Sequence, residues 1–442
     1  MRRITNPKRL SKLLAVPVAA SLIAACGSST TSSSTATTAS AGSTGGAGTT
    51  ALPTTAQFSG SVNVGMSTTL SGAIAELGQS GLDGVKLAIA NINSSGGLLG
   101  KKINLVSADD AAAPATGASN IKTMILNDKI VAIMGTVSSG VAAAEEPLAA
   151  QYHIPLMFLT SNDVSLLTKH FTKYAFSDVP NTVMEPEAAA AYLKHVAGTK
   201  QITIGTISPN YNFGHATVQG FLQALKTLGV DYRVISQQWP PLQVTNIAPY
   251  LSALVSAKPQ YVFNGEFGGD LVTFSTQAAQ YGFFNHTKMI AMYTQSVLKA
   301  LGSTPLPGTI GFDRAAFWAI PGKPMKTFIT QYKAAYGGYP GSWAVMGYAA
   351  VQSWASAVKT ANSFSGPAVA ASLSGATVST IEGKLTYRAC DHQANVAEYV
   401  GPVASGPTSA NFGERLWSST FTAPASTIME TCAQSLAMRS QG

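Results

Sequence analysis

The sequence predicts an α/β protein of two similar lobes, and three observations carry that expectation. Apolar, strand-like runs alternate with stretches of helical periodicity along most of the chain. The strand runs are continuously apolar rather than alternating, as in parallel sheets covered by helices on both faces. The alternation also starts afresh near residue 202, as though one pattern had been laid down twice.

In the first series, Val62 to Met66 reads as a strand. Leu82, Val85, Ile89 and Ile92 recur at spacings of three and four, one face of a helix that Ser95-Gly96-Gly97 should end. A strand at Ile103 to Ser107, a helical segment at Asn120 to Leu126 and a strand at Ile130 to Met134 follow, then a helix from about Ser139 to Gln151 and a strand at Pro155 to Leu159. The second series opens with a strand at Ile202 to Ile207 and a helix over Gly214 to Leu228, whose apolar face is Val218, Phe221, Leu222, Leu225 and Leu228. Strands near Val234, at Tyr261 to Phe263 and at Met289 to Met292 alternate with helices from about Asn246 to Ser256 and Asp270 to Tyr281. Thr309 to Phe317 looks extended, Met325 to Tyr336 and Trp343 to Thr360 helical, and the tail from Gly383 holds strand formers and turns.

Two Rossmann-like lobes in series, with helices left over, imply a chain that crosses between lobes several times and so forms a hinge. The expected parts are a first lobe over 58–180 plus 318–383 and a second over 181–317 plus 384–442. Ligands of open α/β sheets bind beyond the carboxyl ends of the strands, so two such edges facing each other make a cleft.

The first 57 residues read differently. Arg2, Arg3, Lys8, Arg9 and Lys12 precede an apolar run, Leu13 to Ala25, too short for the roughly 20 residues that span a bilayer. That is the layout of an export signal over 1–25. Its ending, Leu22-Ile23-Ala24-Ala25-Cys26-Gly27, resembles a bacterial lipobox, with Cys26 as the lipidated residue; the alternative is an ordinary signal whose cysteine is incidental. Residues 26–57 are rich in Ser, Thr, Gly and Ala and carry no charge, a composition that cannot offset chain entropy by burial. They are expected to form a tether of roughly 30 Å. Without residues 1–25, the chain has 23 Lys and Arg against 20 Asp and Glu, a net charge of +3, so the overall +8 gives no support to nucleic-acid binding. The remaining cysteines, Cys390 and Cys432, form an even pair outside the cytoplasm and read as one disulfide worth roughly 4 kcal/mol, with two free buried thiols as the alternative.

Enzyme motifs are missing: "GTVSSG" at 135–140 has the wrong spacing for a nucleophile elbow, and neither a P-loop nor His-Glu-x-x-His occurs. Asp109-Asp110 and the "CDHQ" run at 390–393 read as solvated turns, and no metal is expected. Hydroxyl residues do gather at strand ends of the first lobe: Ser71, then Ser138 and Ser139 where a helix begins, then Thr160 and Ser161. A serine at a helix N-terminus, among free backbone N–H groups, suits an anion. The matching loops of the second lobe bring Tyr211, Phe213, Glu266, Phe267 and Tyr293, which suits a ligand with a polar head and an organic body.

The opening "VNVGMSTTLSGAIAELGQSGLDGVKLAIANINSSGGLLG", with "IVAIMGTVSSG", "IPLMFLTSND", "PNYNFGHATVQGF" and "NGEFGGDLVTFSTQAAQYG" in order behind it, resembles the type I periplasmic binding proteins of branched-chain amino acid ABC transporters. The likeness covers most of residues 60–400. It implies the type I periplasmic binding protein fold and a site that grips an α-carboxylate at positions matching Ser139 and Thr160–Ser161. The family's acidic ammonium-binding positions match Asn181 and Tyr293, and its first-lobe aromatic matches Leu77, so the ammonium half looks changed. Glu266 is the candidate replacement acid; without it, a non-amino carboxylate or an amide is expected. The implied protein is not an enzyme and needs no cofactor. It is a monomer, lipid-anchored on the extracytoplasmic face of a bacterial cell membrane, that delivers a small polar ligand to permease subunits of an ABC importer. A ligand-sensing ectodomain, or a urea- or short-amide-binding member of the same fold, is the competing expectation.

Overall fold

A computed structural model describes residues 58–440, Thr199 excepted; the proposed leader and tether, with Cys26, lie outside the described residues. The apolar run after residue 60 forms strand β1 (Ser61–Thr68), which pairs in parallel with β2 (Lys102–Asp109) across helix α1 (Ala75–Ser94). Helix α1 ends as its glycines dictate: Gly97, at φ +79°, turns back so that its N–H reaches the Ile92 carbonyl at 2.9 Å. Helix α2 (Pro114–Thr123), strand β3 (Ile133–Met134), helix α3 (Ser139–Tyr152), and strands β4 (Leu156–Phe158) and β5 (Ala175–Ser177) complete a five-stranded parallel sheet of order β2-β1-β3-β4-β5.

The chain then crosses to helix α4 (Met184–Ala197) and repeats the pattern: β6 (Ile202–Ile207), α5 (Asn212–Thr227), β7 (Tyr232–Gln238), α6 (Ala248–Ala257), β8 (Tyr261–Asn264), α7 (Gly268–Gln280), β9 (Lys288–Ala291), α8 (Gln295–Leu301) and β10 (Ile310–Asp313). It crosses back to α9 (Lys323–Tyr336), α10 (Ser342–Ala361) and α11 (Gly366–Leu373), which are followed by a hairpin of β11 (Thr377–Thr380) and β12 (Gly383–Thr386). Helix α10 lies against α1 and under β3 and β4, so this returning segment covers the first sheet. Small residues permit the approach: a Cβ on Gly84 would stand 2.1 Å from the Ala344 carbonyl oxygen.

A third crossing leads to β13 (Glu398–Pro402), β14 (Phe421–Ala423), α12 (Ala425–Ile428) and α13 (Cys432–Ser440). The second sheet, of order β14-β13-β10-β9-β8-β6-β7, is mixed rather than wholly parallel, because β13 runs antiparallel to both β10 and β14. The first and third crossings run side by side: the Ala394 N–H donates to the Ser177 carbonyl at 2.8 Å and the Ser177 N–H to His392 at 3.2 Å.

Of the two turns expected to be solvated, the first is half so, with Asp109 exposed and Asp110 buried, and the second is buried from Asp391 to Gln393. Asp110 is fully enclosed and accepts from the hydroxyls of Thr69 (2.7 Å) and Thr136. Asp391, His392 and Gln393 are buried as well, with the His392 ring stacked on Phe176 at 4.1 Å. A polar run fits inside a fold when each group finds a partner there; Gln393 donates to Val179, and His392 bridges Ala175 and Ser374. The sulfurs of Cys390 and Cys432 are bonded, tying α13 to the third crossing, where Arg439 also donates to the Cys390 carbonyl at 2.7 Å.

Candidate ligand-binding site

Between the carboxyl edges of the two sheets lies a small cavity of ≈ 240 Å³. From the first lobe come Ser139, the first residue of α3, and Thr160 and Asn162 just beyond β4. The Ser139 hydroxyl accepts from the backbone N–H groups of Asn162 and Asp163, each at 3.3 Å, which leaves its own proton to donate. Its place at the start of a 14-residue helix adds the positive end of the dipole. Trp343, in the first turn of α10, contributes a broad face, and its buried indole N–H has no hydrogen-bond partner among the described residues.

The second lobe supplies Tyr211 and Phe213 at the start of α5 and Phe267 just before α7. Phe213 and Phe267 meet edge to face, with centroids 5.5 Å apart. Burial drives the Tyr211 hydroxyl far above its ordinary pKa, so it is neutral.

One cation completes the lining. Arg314 follows β10 directly and is 4% exposed. Its Nε donates to Glu185 of α4 at 2.5 Å, and its Nη1 to the Thr160 carbonyl of the opposite lobe at 2.6 Å. Its guanidinium carbon stands 5.9 Å from the Phe213 ring centroid and 5.8 Å from that of Trp343. Nη2 makes no hydrogen bond to the described residues. Burial raises the Glu185 carboxyl above its ordinary value even though Arg314 pulls the other way.

Of the residues singled out in the sequence, Ser139, Thr160, Tyr211, Phe213 and Phe267 line the cavity. Ser138 precedes α3 as its capping residue, its side chain beside the Tyr211 hydroxyl. Ser161 and Asn181 face a separate small void below, shared with Asp163 and Gln393. Asn181 caps α4, accepting from Val183 and Met184, and donates to Glu430 at 2.8 Å. Tyr293 is enclosed in the second lobe and shares a 2.8 Å hydrogen bond with Ser275. Ser71 stands exposed on the loop after β1, and Leu77 is buried against Gly268.

Glu266 is fully buried but does not line the cavity, and neither carboxyl oxygen has a partner among the described residues. Burial, with Asp270 adding to it, pushes its pKa well above the ordinary value. No acidic side chain lines the cavity. Arg314, Asn162 and Trp343 were missed in the sequence. An arginine closing the apolar run "TIGFDR" is the signal that could have exposed the first of them.

Two α/β lobes around an interlobe cavity lined by polar donors and aromatic rings define a capture protein for a small solute. The chain belongs to the periplasmic binding protein family, whose profile matches residues 61–407. It is 24% identical over 380 residues to Leu/Ile/Val-binding protein homolog 4 of Brucella abortus (strain 2308), covering 81% of this chain and 86% of the relative. Its fold superposes on a periplasmic binding protein from Burkholderia mallei with TM-score 0.76 and 22% identity, covering 84% and 96% of the two chains. It also matches a solute-binding protein of an ABC transporter from Rhodopseudomonas palustris BisB5, solved with 3,4-dihydroxybenzoic acid, with TM-score 0.73, 23% identity and coverage of 82% and 98%. Members of this family are extracytoplasmic solute-binding components of transporters, not enzymes.

Proposed function

We propose that this protein captures a small aromatic carboxylate and presents it to the permease of an ABC importer. The observation that carries the reading is Arg314, a buried cation on the cavity wall with no acid facing it across the lining. An amino acid would bring an ammonium group that needs a buried counter-charge. The lining offers that group hydroxyls and aromatic faces but no carboxylate, and a guanidinium already stands among them. A carboxylate instead meets the Ser139 hydroxyl, the α3 N-terminus and Arg314, while a flat ring fits among Tyr211, Phe213, Phe267 and Trp343. The benzoate-type ligand of the Rhodopseudomonas palustris neighbour supports the same chemistry.

Binding draws the lobes together across the Arg314–Thr160 contact, and the closed form docks on the permease. Cys26 anchors the chain by a lipid, so Cys26→Ser should release it from the membrane fraction.

A branched-chain amino acid is the second reading, favoured by the unpartnered carboxyl of Glu266. Calorimetric titration with benzoate, 4-hydroxybenzoate, phenylalanine, leucine, acetamide and urea separates the two. Micromolar or tighter binding of the benzoates, with leucine and phenylalanine at least a hundredfold weaker, is expected. Leucine binding that is lost on Glu266→Gln would establish the amino acid reading instead.

A further inference from the structure

The hinge carries a cluster of acids that ligand capture, as described above, leaves unused. All three crossings contribute. Asp178 follows β5, Glu185 lies in the first turn of α4, and Asp313 ends β10 beside Arg314. Glu382 sits in the β11–β12 turn and Glu398 opens β13. The β10–β13 register sets Asp313 opposite Tyr399, so Glu398 is one residue away, and α4 packs on β13, which brings Glu185 to the same place. Asp178, Glu185, Asp313 and Glu398 are each at most 1% exposed.

Their hydrogen bonding is incomplete. Asp313 accepts from the Ser342 hydroxyl at 2.6 Å and the Ala315 N–H at 3.2 Å. Both carboxyl oxygens of Glu398 and of Asp178, and Oε1 of Glu185 and of Glu382, have no partner among the described residues. Arg314 is the cation placed against this group. Arg388, the other arginine near the crossings, is engaged by Asp391 and by Glu430, the latter at 3.8 Å. The hydroxyls of Tyr387 and Tyr399 face the acids, and Tyr211, which lies within electrostatic reach of Arg314, Asp163 and Glu266, is the titratable group on the cavity side.

We propose that this hinge cluster is a proton-binding site, and that it takes up a proton from solvent when a carboxylate ligand enters the cavity beside Arg314. The proposal rests on the aromatic carboxylate reading. While the cavity is empty, the single guanidinium charge is shared among Glu185 and its neighbours. An arriving carboxylate claims that charge and adds a negative one of its own. Two unit charges about 5 Å apart interact by about 3 kcal/mol at an effective dielectric near 20, about two pKa units. A carboxylate in the cluster answers by binding a proton. The balance is one anionic ligand and up to one proton entering together, with no covalent change. Burial already holds Asp313 at about 6 and Asp178 at about 8, so groups poised to respond lie on either side of neutral pH.

The test is benzoate titration of the purified full chain at pH 7 in phosphate and in Tris, whose ionisation heats differ. The expected result is a buffer-dependent heat equal to uptake of about 0.3–1 proton per benzoate bound. Between pH 8 and pH 6, where a simple carboxylic acid stays ionised, the Kd should tighten by twofold to tenfold per unit. Asp313→Asn, at a position that does not line the cavity, should keep benzoate binding and reduce the proton count. The pH series on the unaltered chain decides the matter if that variant does not fold. Benzoate binding with no buffer-dependent heat and a flat Kd overturns this proposal alone. No binding by any benzoate overturns the ligand reading and this proposal with it.

Discussion

Arg314 and Glu185 are unequal partners, because only one of them can discard its charge. An arginine does not deprotonate inside a protein, whereas a buried carboxyl can neutralise itself by taking a proton. Burial already lifts Glu185 above its ordinary value. Arg314→Met therefore leaves an acid that protonates at modest cost, and Glu185→Gln leaves a guanidinium with only the Thr160 carbonyl, its ring neighbours and the more distant acids. Removing one member of a buried pair generally costs about 3–5 kcal/mol. We expect Glu185→Gln to lie in that range and Arg314→Met to fall below it. For benzoate the order reverses: Arg314→Met should weaken binding by at least thirtyfold, and Glu185→Gln should not weaken it. Denaturant melts and titrations of both variants check the pair. Equal losses of stability would mean that Glu185 is a full carboxylate in the folded chain.

At the level of elements, the most extensive helix contact is that of α1 with α10. Alanine is ordinarily better than glycine in a helix by about 1 kcal/mol. At Gly84 the added methyl would stand 2.1 Å from the Ala344 carbonyl oxygen, and at Gly347 it would stand 2.5 Å from that of Gly81. Backbone cannot rotate aside as a side chain can, so Gly84→Ala should cost about 1–3 kcal/mol and lower the melting temperature by a few degrees. A rise on that substitution would show that the two helices sit further apart.

The same helices show what the sequence discloses. The face of α1 was legible because Leu82, Val85 and Ile89 are all buried on one side, and its end was legible in Gly96 and Gly97. Helix α4 went unread: its run of four alanines between "MEP" and "YLK" has no apolar stripe to set a period. Strand β5 is only three residues long, too short for any pattern to emerge. The β11–β12 hairpin and the antiparallel β13 were hidden among turns because strand direction depends on partners far along the chain. In the cavity, Ser139, Thr160, Tyr211 and Phe267 follow strand ends and could be found by that rule. Arg314 and Trp343 arrive from a crossing and a returning helix, where only the folded topology brings them back to the site.

Over the whole molecule, the buried acids imply an unusual dependence of stability on pH. Burial holds Asp313 at about 6, Asp178 at about 8 and Glu146 of α3 at about 9, and it drives Glu145, Glu266 and Glu398 well above the ordinary range. In the unfolded chain all six return to about 4. Between about pH 4 and each folded value, the native state therefore binds more protons than the unfolded one, and stability falls as pH rises. His392 acts in the opposite sense: burial lowers its pKa, so its contribution is lost as pH falls through that range. One histidine is outnumbered by six carboxyls, and the net effect favours acid. Calorimetric melts should show the highest transition temperature near pH 5 and a decline of several degrees by pH 9, steepest where the most carboxyls are between their two states. A transition temperature that holds level or climbs across that interval would mean that these carboxyls are ionised in the fold.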